Sequence, residues 1–163
     1  MKEFTEWRGV DLTSRVAKIK RAFNREPVTS ADEVPILVNA PCYFAFGSHD
    51  KPADYYINPA SMYGYQANGY ERHLRLVADD YVPYFMPWFG TGVLASAFGA
   101  GIRVPDDPAD DPAVAEPCIQ SPADVARLRR PDPYKDGWMP RVLDAIDYAV
   151  AHGDLPVGLT DMQ

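Results

Sequence analysis

The stretch that most constrains the fold covers residues 81–102, YVPYFMPWFGTGVLASAFGAGI. It opens with an aromatic and β-branched run, passes through Gly90 and Gly92, and continues into a helical segment of small residues. A buried strand that leads through a glycine turn into a short helix is how α/β folds build ligand pockets, because glycine lets the backbone approach a bound group. The stretch therefore predicts an α/β fold with a strand over residues 81–88.

The length and charge of the chain narrow the classes of function. The 163 residues correspond to one domain. The net charge of −7 argues against a nucleic acid or an anionic membrane as partner. No apolar run approaches the ~18 residues that span a bilayer, and the N-terminal residues lack the apolar core of a signal peptide. Cys42 and Cys118 are isolated in sequence, so we expect two reduced thiols in a cytoplasmic protein.

Three segments predict helices. Apolar residues recur at helical spacing from residue 12, and this first helix is expected to end near Asn24. Asn58 followed by Pro59 predicts the start of a second helix, which runs to about Val77 and is well buried. A third helix is predicted over residues 139–150, with Gly153 as the glycine that follows a helix C-terminus.

Three short apolar runs between these helices predict strands, over residues 34–39, 81–88 and 155–160. Strands that alternate with helices form βα units and a parallel sheet. Residues 105–117 are acidic and proline-rich, and we expect an excursion with a short hairpin whose arms are residues 102–104 and 115–119. The elements fit a small three-stranded domain or the front part of a larger barrel. We favour the barrel, because a central parallel strand needs a neighbour on each side.

Several local motifs occur in a fixed order along the chain. They are NREPV at residues 24–28 before the first strand, FGTG at 89–92 after the second strand, SPAD at 121–124, and PDP at 131–133. In this order and spacing, the chain resembles the uroporphyrinogen decarboxylase-like superfamily of TIM barrels, which includes the methyltransferases that serve corrinoid proteins. The resemblance implies an α/β fold that is the N-terminal part of a (β/α)8 TIM barrel. Residues 1–163 would then be an incomplete barrel domain with three parallel strands and flanking helices, and residues 105–117 a loop within it.

The resemblance also bears on the activity of the parent enzyme. The decarboxylase holds its substrate's carboxylates with arginines in the loop after the first strand, whereas residues 40–51 contain no arginine and Lys51 is their clear cation. The decarboxylase places an aspartate at the end of its second strand, and residues 85–89 contain no carboxylate. We therefore expect a parent of the methyltransferase branch. No cofactor site is visible in this sequence. The resemblance implies that the full-length parent could use zinc, bound by His and Cys in later strands, and a corrinoid partner.

The residues at the carboxyl ends of the predicted strands are the candidate site, because barrel enzymes bind ligands there. Asp161, directly after the third strand, is the candidate catalytic residue and could act as acid, base or hydrogen-bond acceptor. A turn aspartate is the alternative. Trp88 lines the substrate pocket or belongs to the barrel core. The candidate substrate-pocket residues are Asn39, Tyr43, Trp88, Thr91 and Gln163.

Two hypotheses of function follow from these patterns. The first is the N-terminal portion of a uroporphyrinogen decarboxylase-like enzyme, which binds a small molecule or a corrinoid protein and is inactive as an isolated chain, because a barrel site needs the ends of many strands. The second is a non-catalytic α/β module that completes its sheet by self-association or with a partner chain, because unpaired strand edges are templates for association.

Overall fold

The computed structural model describes residues 3–38, 51–107 and 110–158. The described part contains five α-helices, a 3-10 turn and two antiparallel two-stranded sheets. In chain order the elements are β1 (Glu6–Trp7), β2 (Val10–Asp11), α1 (Thr13–Phe23), the 3-10 turn (Ala31–Glu33), α2 (Pro59–Leu76), α3 (Val93–Ala97), β3 (Gly101–Arg103), β4 (Ala113–Glu116), α4 (Pro122–Val125) and α5 (Met139–His152). The fold is therefore mixed α/β, as the sequence predicts. Among these helices, none is long and apolar enough to cross a membrane.

Helix α2 lies at the centre of the core. The Asn58 side chain accepts a hydrogen bond from the amide of Ala60, and Pro59 is the first helical residue, so the predicted N-terminus is confirmed. The helix buries residues on several faces, including Met62 and Tyr70, and packs against α5. On α5, small and branched residues face this contact, namely Val142, Ala145 and Ala149.

Parallel pairing occurs at one point of the described chain, between the predicted second and third strands. The amide of Phe85 donates to the Pro156 carbonyl and the amide of Gly158 donates to the Phe85 carbonyl, both at 2.8 Å. The order and direction of these two segments agree with a βα unit. The described residues do not form three parallel strands or a barrel.

The parallel pairing stops early for two reasons. The two segments lack backbone N–H donors at their prolines, and a side chain of α2 binds backbone groups that a neighbouring strand would use. Proline at positions 83, 87 and 156 removes ladder hydrogen bonds. The buried Gln66 side chain on α2 then binds Met86 as a neighbouring strand would. The Met86 amide donates to Gln66 Oε1 at 3.0 Å, and Gln66 Nε2 donates to the Met86 carbonyl at 2.7 Å.

The expectation of a buried first strand over residues 34–39 is wrong for its described part. Residues 34–38 form no ladder, and the side chains of Val34, Ile36, Leu37 and Val38 are exposed. Their backbone is held by carboxylates. The amides of Ile36 and Val38 donate to Asp80 Oδ2 at 3.0 Å and to Asp79 Oδ2 at 2.9 Å. A row of apolar side chains thus faces outward at this edge.

A group around the buried Asp79, which we name the Asp79 cluster (Arg15, His73 and Asp79), connects this edge to the helices. His73 Nε2 on α2 lies 3.1 Å and 3.0 Å from the two carboxylate oxygens of Asp79, and Arg15 Nη1 on α1 lies 3.7 Å from Oδ1. The amide of Tyr81 also donates to Asp79, at 3.3 Å. The cluster therefore fixes the start of the predicted second strand against α1 and α2.

Two hairpins complete the fold. Strands β3 and β4 pair antiparallel, with Ile102 opposite Val114, so the predicted hairpin is confirmed, with arm boundaries one to three residues earlier than predicted. The N-terminal hairpin of β1 and β2 is not apparent from the sequence pattern. Its turn residues Arg8 and Gly9 have φ values of 46° and 78°, and positive φ at both central residues is the geometry of a type I′ turn.

The ends of the later helices follow the sequence in part. A capping box between Ser121 and Asp124, within the SPAD motif, forms at the start of α4. Gly153 follows α5, but its φ of −90° and ψ of 163° differ from the left-handed geometry expected of a glycine after a helix. The glycine is required for space, because a Cβ at this position would lie 2.6 Å from the Tyr63 ring.

Candidate functional site

The carboxyl end of the predicted second strand, at Trp88, is the end at which barrel enzymes bind ligands. The structure places two of the six candidate residues there. Trp88 is half-buried and Thr91 is exposed. The other four, Asn39, Tyr43, Asp161 and Gln163, lie outside the described residues.

Trp88 belongs to a polar group that we name the Lys51 cluster (Lys51, Tyr56, Trp88 and Asp111). Lys51 Nζ donates to Asp111 Oδ1 at 2.5 Å and to the Asp110 carbonyl at 3.0 Å, and the Tyr56 hydroxyl donates to Asp111 Oδ1 at 2.7 Å. Trp88 Nε1 donates to Asp111 Oδ2 at 2.9 Å. Asp111 Oδ1 therefore accepts hydrogen bonds from the segment that precedes α2, and Oδ2 accepts one from the end of the predicted second strand.

The donors of the cluster are positioned by the core. The Tyr56 ring contacts the buried Tyr55 ring edge to face, with centroids 4.9 Å apart, and also contacts Phe89. Lys51 Nζ lies 5.3 Å from the centroid of the Tyr56 ring, close enough for a cation–π contact. Its side chain is 2% exposed. The cation is thus buried between aromatic rings and the carboxylate.

The acceptor, the carboxylate of Asp111, belongs to the acidic excursion. The excursion packs against the end of the predicted second strand. Asp111 precedes Pro112, which is fully buried. Gly90 has a φ of +77°, and a Cβ there would collide with the carbonyl oxygen of Pro112. Glycine at this position therefore serves close approach of the excursion backbone, and the left-handed φ adds a second reason for it.

Burial and hydrogen bonding keep Asp111 and Tyr56 in fixed protonation states. Burial raises the pKa of Asp111, but hydrogen bonds from Lys51, Tyr56 and Trp88 outweigh it and hold that pKa below the ordinary value. Burial, followed by the hydrogen bond to Asp111, raises the pKa of the Tyr56 hydroxyl. At neutral pH the carboxylate is ionised and the phenol is protonated. The cluster therefore presents fixed charges and donors, and neither group is set to exchange protons at that pH.

The depressed pKa of Asp111 predicts a window of acid sensitivity. A group with a lowered folded-state pKa contributes stability that is fully present above its ordinary pKa of 3.8 and is lost as the pH falls through the folded-state value. We expect the stability difference between the wild type and Asp111→Asn to be constant above about pH 5 and to shrink below pH 3.8. Chemical unfolding at a series of pH values measures it, and a difference that grows on acidification would contradict the assignment.

Gly90→Ala is expected to lift the excursion from the strand end. The added Cβ strains the left-handed backbone and collides with Pro112, so we expect a loss of about 1–3 kcal/mol in unfolding free energy and a change in Trp88 fluorescence. The matched control is Gly64→Ala within α2, where a Cβ meets nothing within 4 Å and should be neutral or stabilising. Equal effects of the two substitutions would contradict the close approach.

Sequence reasoning identified Trp88 and noted Lys51, but it missed Tyr56 and Asp111. Lys51 and Asp111 are 60 positions apart, and several acidic residues of the excursion were equivalent candidates for its partner. Within residues 3–38, 51–107 and 110–158, no group of three His, Cys, Asp or Glu side chains is placed to bind a metal. Cys118 has no disulfide partner in the same part of the chain.

Comparison with known families gives one match, which covers most of the chain. Residues 16–159 match the family described as Uroporphyrinogen decarboxylase (URO-D). The matched region starts within α1 and includes every residue of the Lys51 cluster and the parallel contact between Phe85 and Val157. No curated protein and no solved structure matches the chain.

Proposed function

The chain belongs to the uroporphyrinogen decarboxylase family, and we propose that it forms the N-terminal portion of a barrel enzyme whose activity is corrinoid-linked methyl transfer. Membership supports a uroporphyrinogen decarboxylase-like enzyme. The choice of methyl transfer over decarboxylation of a porphyrinogen is our inference from the Lys51 cluster.

The observation that carries this choice is the pairing of Lys51. A porphyrinogen that bears several carboxylates needs several cations, and arginine is the side chain best suited to bind them. Residues 40–51 contain no arginine. Their lysine is buried and is paired at 2.5 Å with Asp111 of the same chain. For a substrate with several acidic groups, residues 40–51 therefore offer one lysine and no arginine.

Asp111 brings a carboxylate to the end of the predicted second strand. No carboxylate occurs at residues 85–89, but Asp111 supplies one to the same strand end, 2.9 Å from Trp88 Nε1. Both of its oxygens are engaged by Lys51, Tyr56 and Trp88. We propose that Asp111 serves as the internal partner of these donors and does not bind the pyrrole nitrogens of a substrate.

Zinc and a corrinoid would supply the methyl-transfer chemistry of such an enzyme. The described residues offer no ligand group for zinc. The zinc ligands of the proposed enzyme would therefore lie outside the described part of this chain, and the residues of the Lys51 cluster would shape the substrate pocket.

The exposed row at residues 34–38 supports a second candidate, the non-catalytic module. Four neighbouring apolar side chains there face outward, and exposed apolar edges favour association. A second copy or a partner chain would cover them. A chain that is monomeric in solution at high concentration would count against this function.

The deciding experiment uses the full-length protein from its natural source. Its intact mass is measured first, followed by zinc content and two assays, methyl transfer to cob(I)alamin and decarboxylation of uroporphyrinogen. We expect a mass well above that of this chain and methyl transfer alone. Decarboxylation would overturn our choice of activity. A native mass equal to that of the chain, with a dimeric solution mass, would favour the module.

A further inference from the structure

The Lys51 cluster has the composition of a binding site for one carboxylate. An ammonium, a phenol and an indole N–H converge on the two oxygens of Asp111, at 2.5 Å, 2.7 Å and 2.9 Å. Hydrogen bonds in which both partners are charged are among the strongest in proteins, and the two neutral donors fix the orientation of the acceptor. The donor set thus matches the shape and charge of a carboxylate.

We propose that Lys51, Tyr56 and Trp88 form a binding site for one carboxylate group of a small-molecule ligand, and that the Asp111 side chain fills this site until such a ligand displaces it. This site would bind part of the substrate of the proposed enzyme. It rests on the proposed function only for the assumption that this strand end faces the substrate. A single buried lysine neutralises a single acid group. The ligand class is therefore a small acid and not a macrocycle with several carboxylates.

The donors and the acceptor differ in how firmly they are held. The Lys51 side chain is 2% exposed, whereas the Asp111 side chain is 27% exposed. The Tyr56 ring is packed between Tyr55 and Phe89. We therefore expect Lys51 and Tyr56 to keep their positions when the carboxylate leaves, which is the preorganisation that a ligand site requires.

Replacement of Asp111 by alanine, followed by addition of acetate, tests this site in the chain itself. Asp111→Ala leaves Lys51 buried without that carboxylate, so we expect the variant to be destabilised and acetate to restore it. At a tenfold excess of acetate over its Kd, the unfolding midpoint should rise by about 3–6 °C. Sodium chloride replaces acetate at equal ionic strength in the reference sample. The indole N–H signal of Trp88 in the NMR spectrum, assigned with Trp88→Phe, should move with the same dependence on acetate.

The matched control is Asp110→Ala, which changes the exposed neighbouring aspartate that contacts Lys51 through its backbone carbonyl. We expect no acetate-dependent change in this variant beyond that of the wild type. The wild type should need at least about tenfold more acetate than Asp111→Ala, because the tethered carboxylate competes at a high effective concentration. The double variant Lys51→Met/Asp111→Ala should lose the response.

The outcomes separate this proposal from the proposed function. Acetate that stabilises Asp110→Ala and Asp111→Ala equally, or a Trp88 signal that does not move, overturns the carboxylate site. An Asp111→Ala chain that is unfolded and stays unfolded in acetate also counts against it, whereas folding upon addition of acetate supports it. A full-length enzyme that decarboxylates uroporphyrinogen would overturn methyl transfer and leave the acetate result unaffected.

Discussion

Replacement of Asp79 by alanine is expected to lower the free energy of unfolding by about 3–5 kcal/mol, the usual cost of removing one partner from a buried polar network. The Asp79 side chain is 1% exposed. It accepts hydrogen bonds from the amides of Val38 and Tyr81 and contacts His73, while Arg15 lies within ion-pair distance. The substitution leaves these groups without their common acceptor, and each buried donor that loses it adds to the cost.

Denaturant unfolding of wild type, Asp79→Ala and the control Asp147→Ala measures this effect. Asp147 is exposed on α5, and alanine there should change the stability by no more than about 0.5 kcal/mol. Hydrogen exchange at the amides of Val38 and Tyr81 gives a second readout, because both donate directly to Asp79. A loss below about 1 kcal/mol, with unchanged exchange at these amides, would show that the cluster does not hold the edge in place.

The helices could be predicted from the sequence because their signals are local. The apolar spacing of residues 12–23 and the Asn58 cap each act within a few residues of the chain. The strands could not be predicted in the same way. A short apolar run pairs only if a neighbour presents matching groups, and here Gln66 and the carboxylates of Asp79 and Asp80 bind backbone groups that a ladder would use.

In the candidate site, too, the sequence predicts the residue with a local signal and does not predict those that depend on long-range contacts. Trp88 was found because it ends an apolar run that precedes a glycine turn. Tyr56 and Asp111 were missed because their role depends on contacts across 55 positions of the chain. The sequence shows that the excursion is acidic, but only the fold selects Asp111 from its acids. Gly90 was a visible signal, since the close approach of Pro112 requires a residue without a side chain.

Substitution of Lys51 by methionine is expected to cost about 2–4 kcal/mol, somewhat less than loss of a fully enclosed partner because Asp111 is partly exposed. Methionine keeps the apolar stem of the side chain and lacks only the terminal ammonium, so the cavity term is small. The loss in unfolding free energy therefore measures mainly the cost of leaving the half-buried Asp111 carboxylate without its cation. Tyr56 and Trp88 remain as its donors. Asp111→Ala should be similarly destabilising, because it leaves the buried ammonium without that acceptor.

The double variant Lys51→Met/Asp111→Ala separates the pairwise interaction from these single losses. If the two groups stabilise each other, the double variant loses less than the sum of the single variants, by about 1–3 kcal/mol. The matched comparison is Lys20 with Glu3, a pair at 2.6 Å whose side chains are 59% and 50% exposed. Solvent screens that pair, so its coupling should not exceed about 0.5 kcal/mol. Equal coupling in the two cycles would mean that burial adds nothing at the strand end, and the basis for a preorganised carboxylate site would be lost.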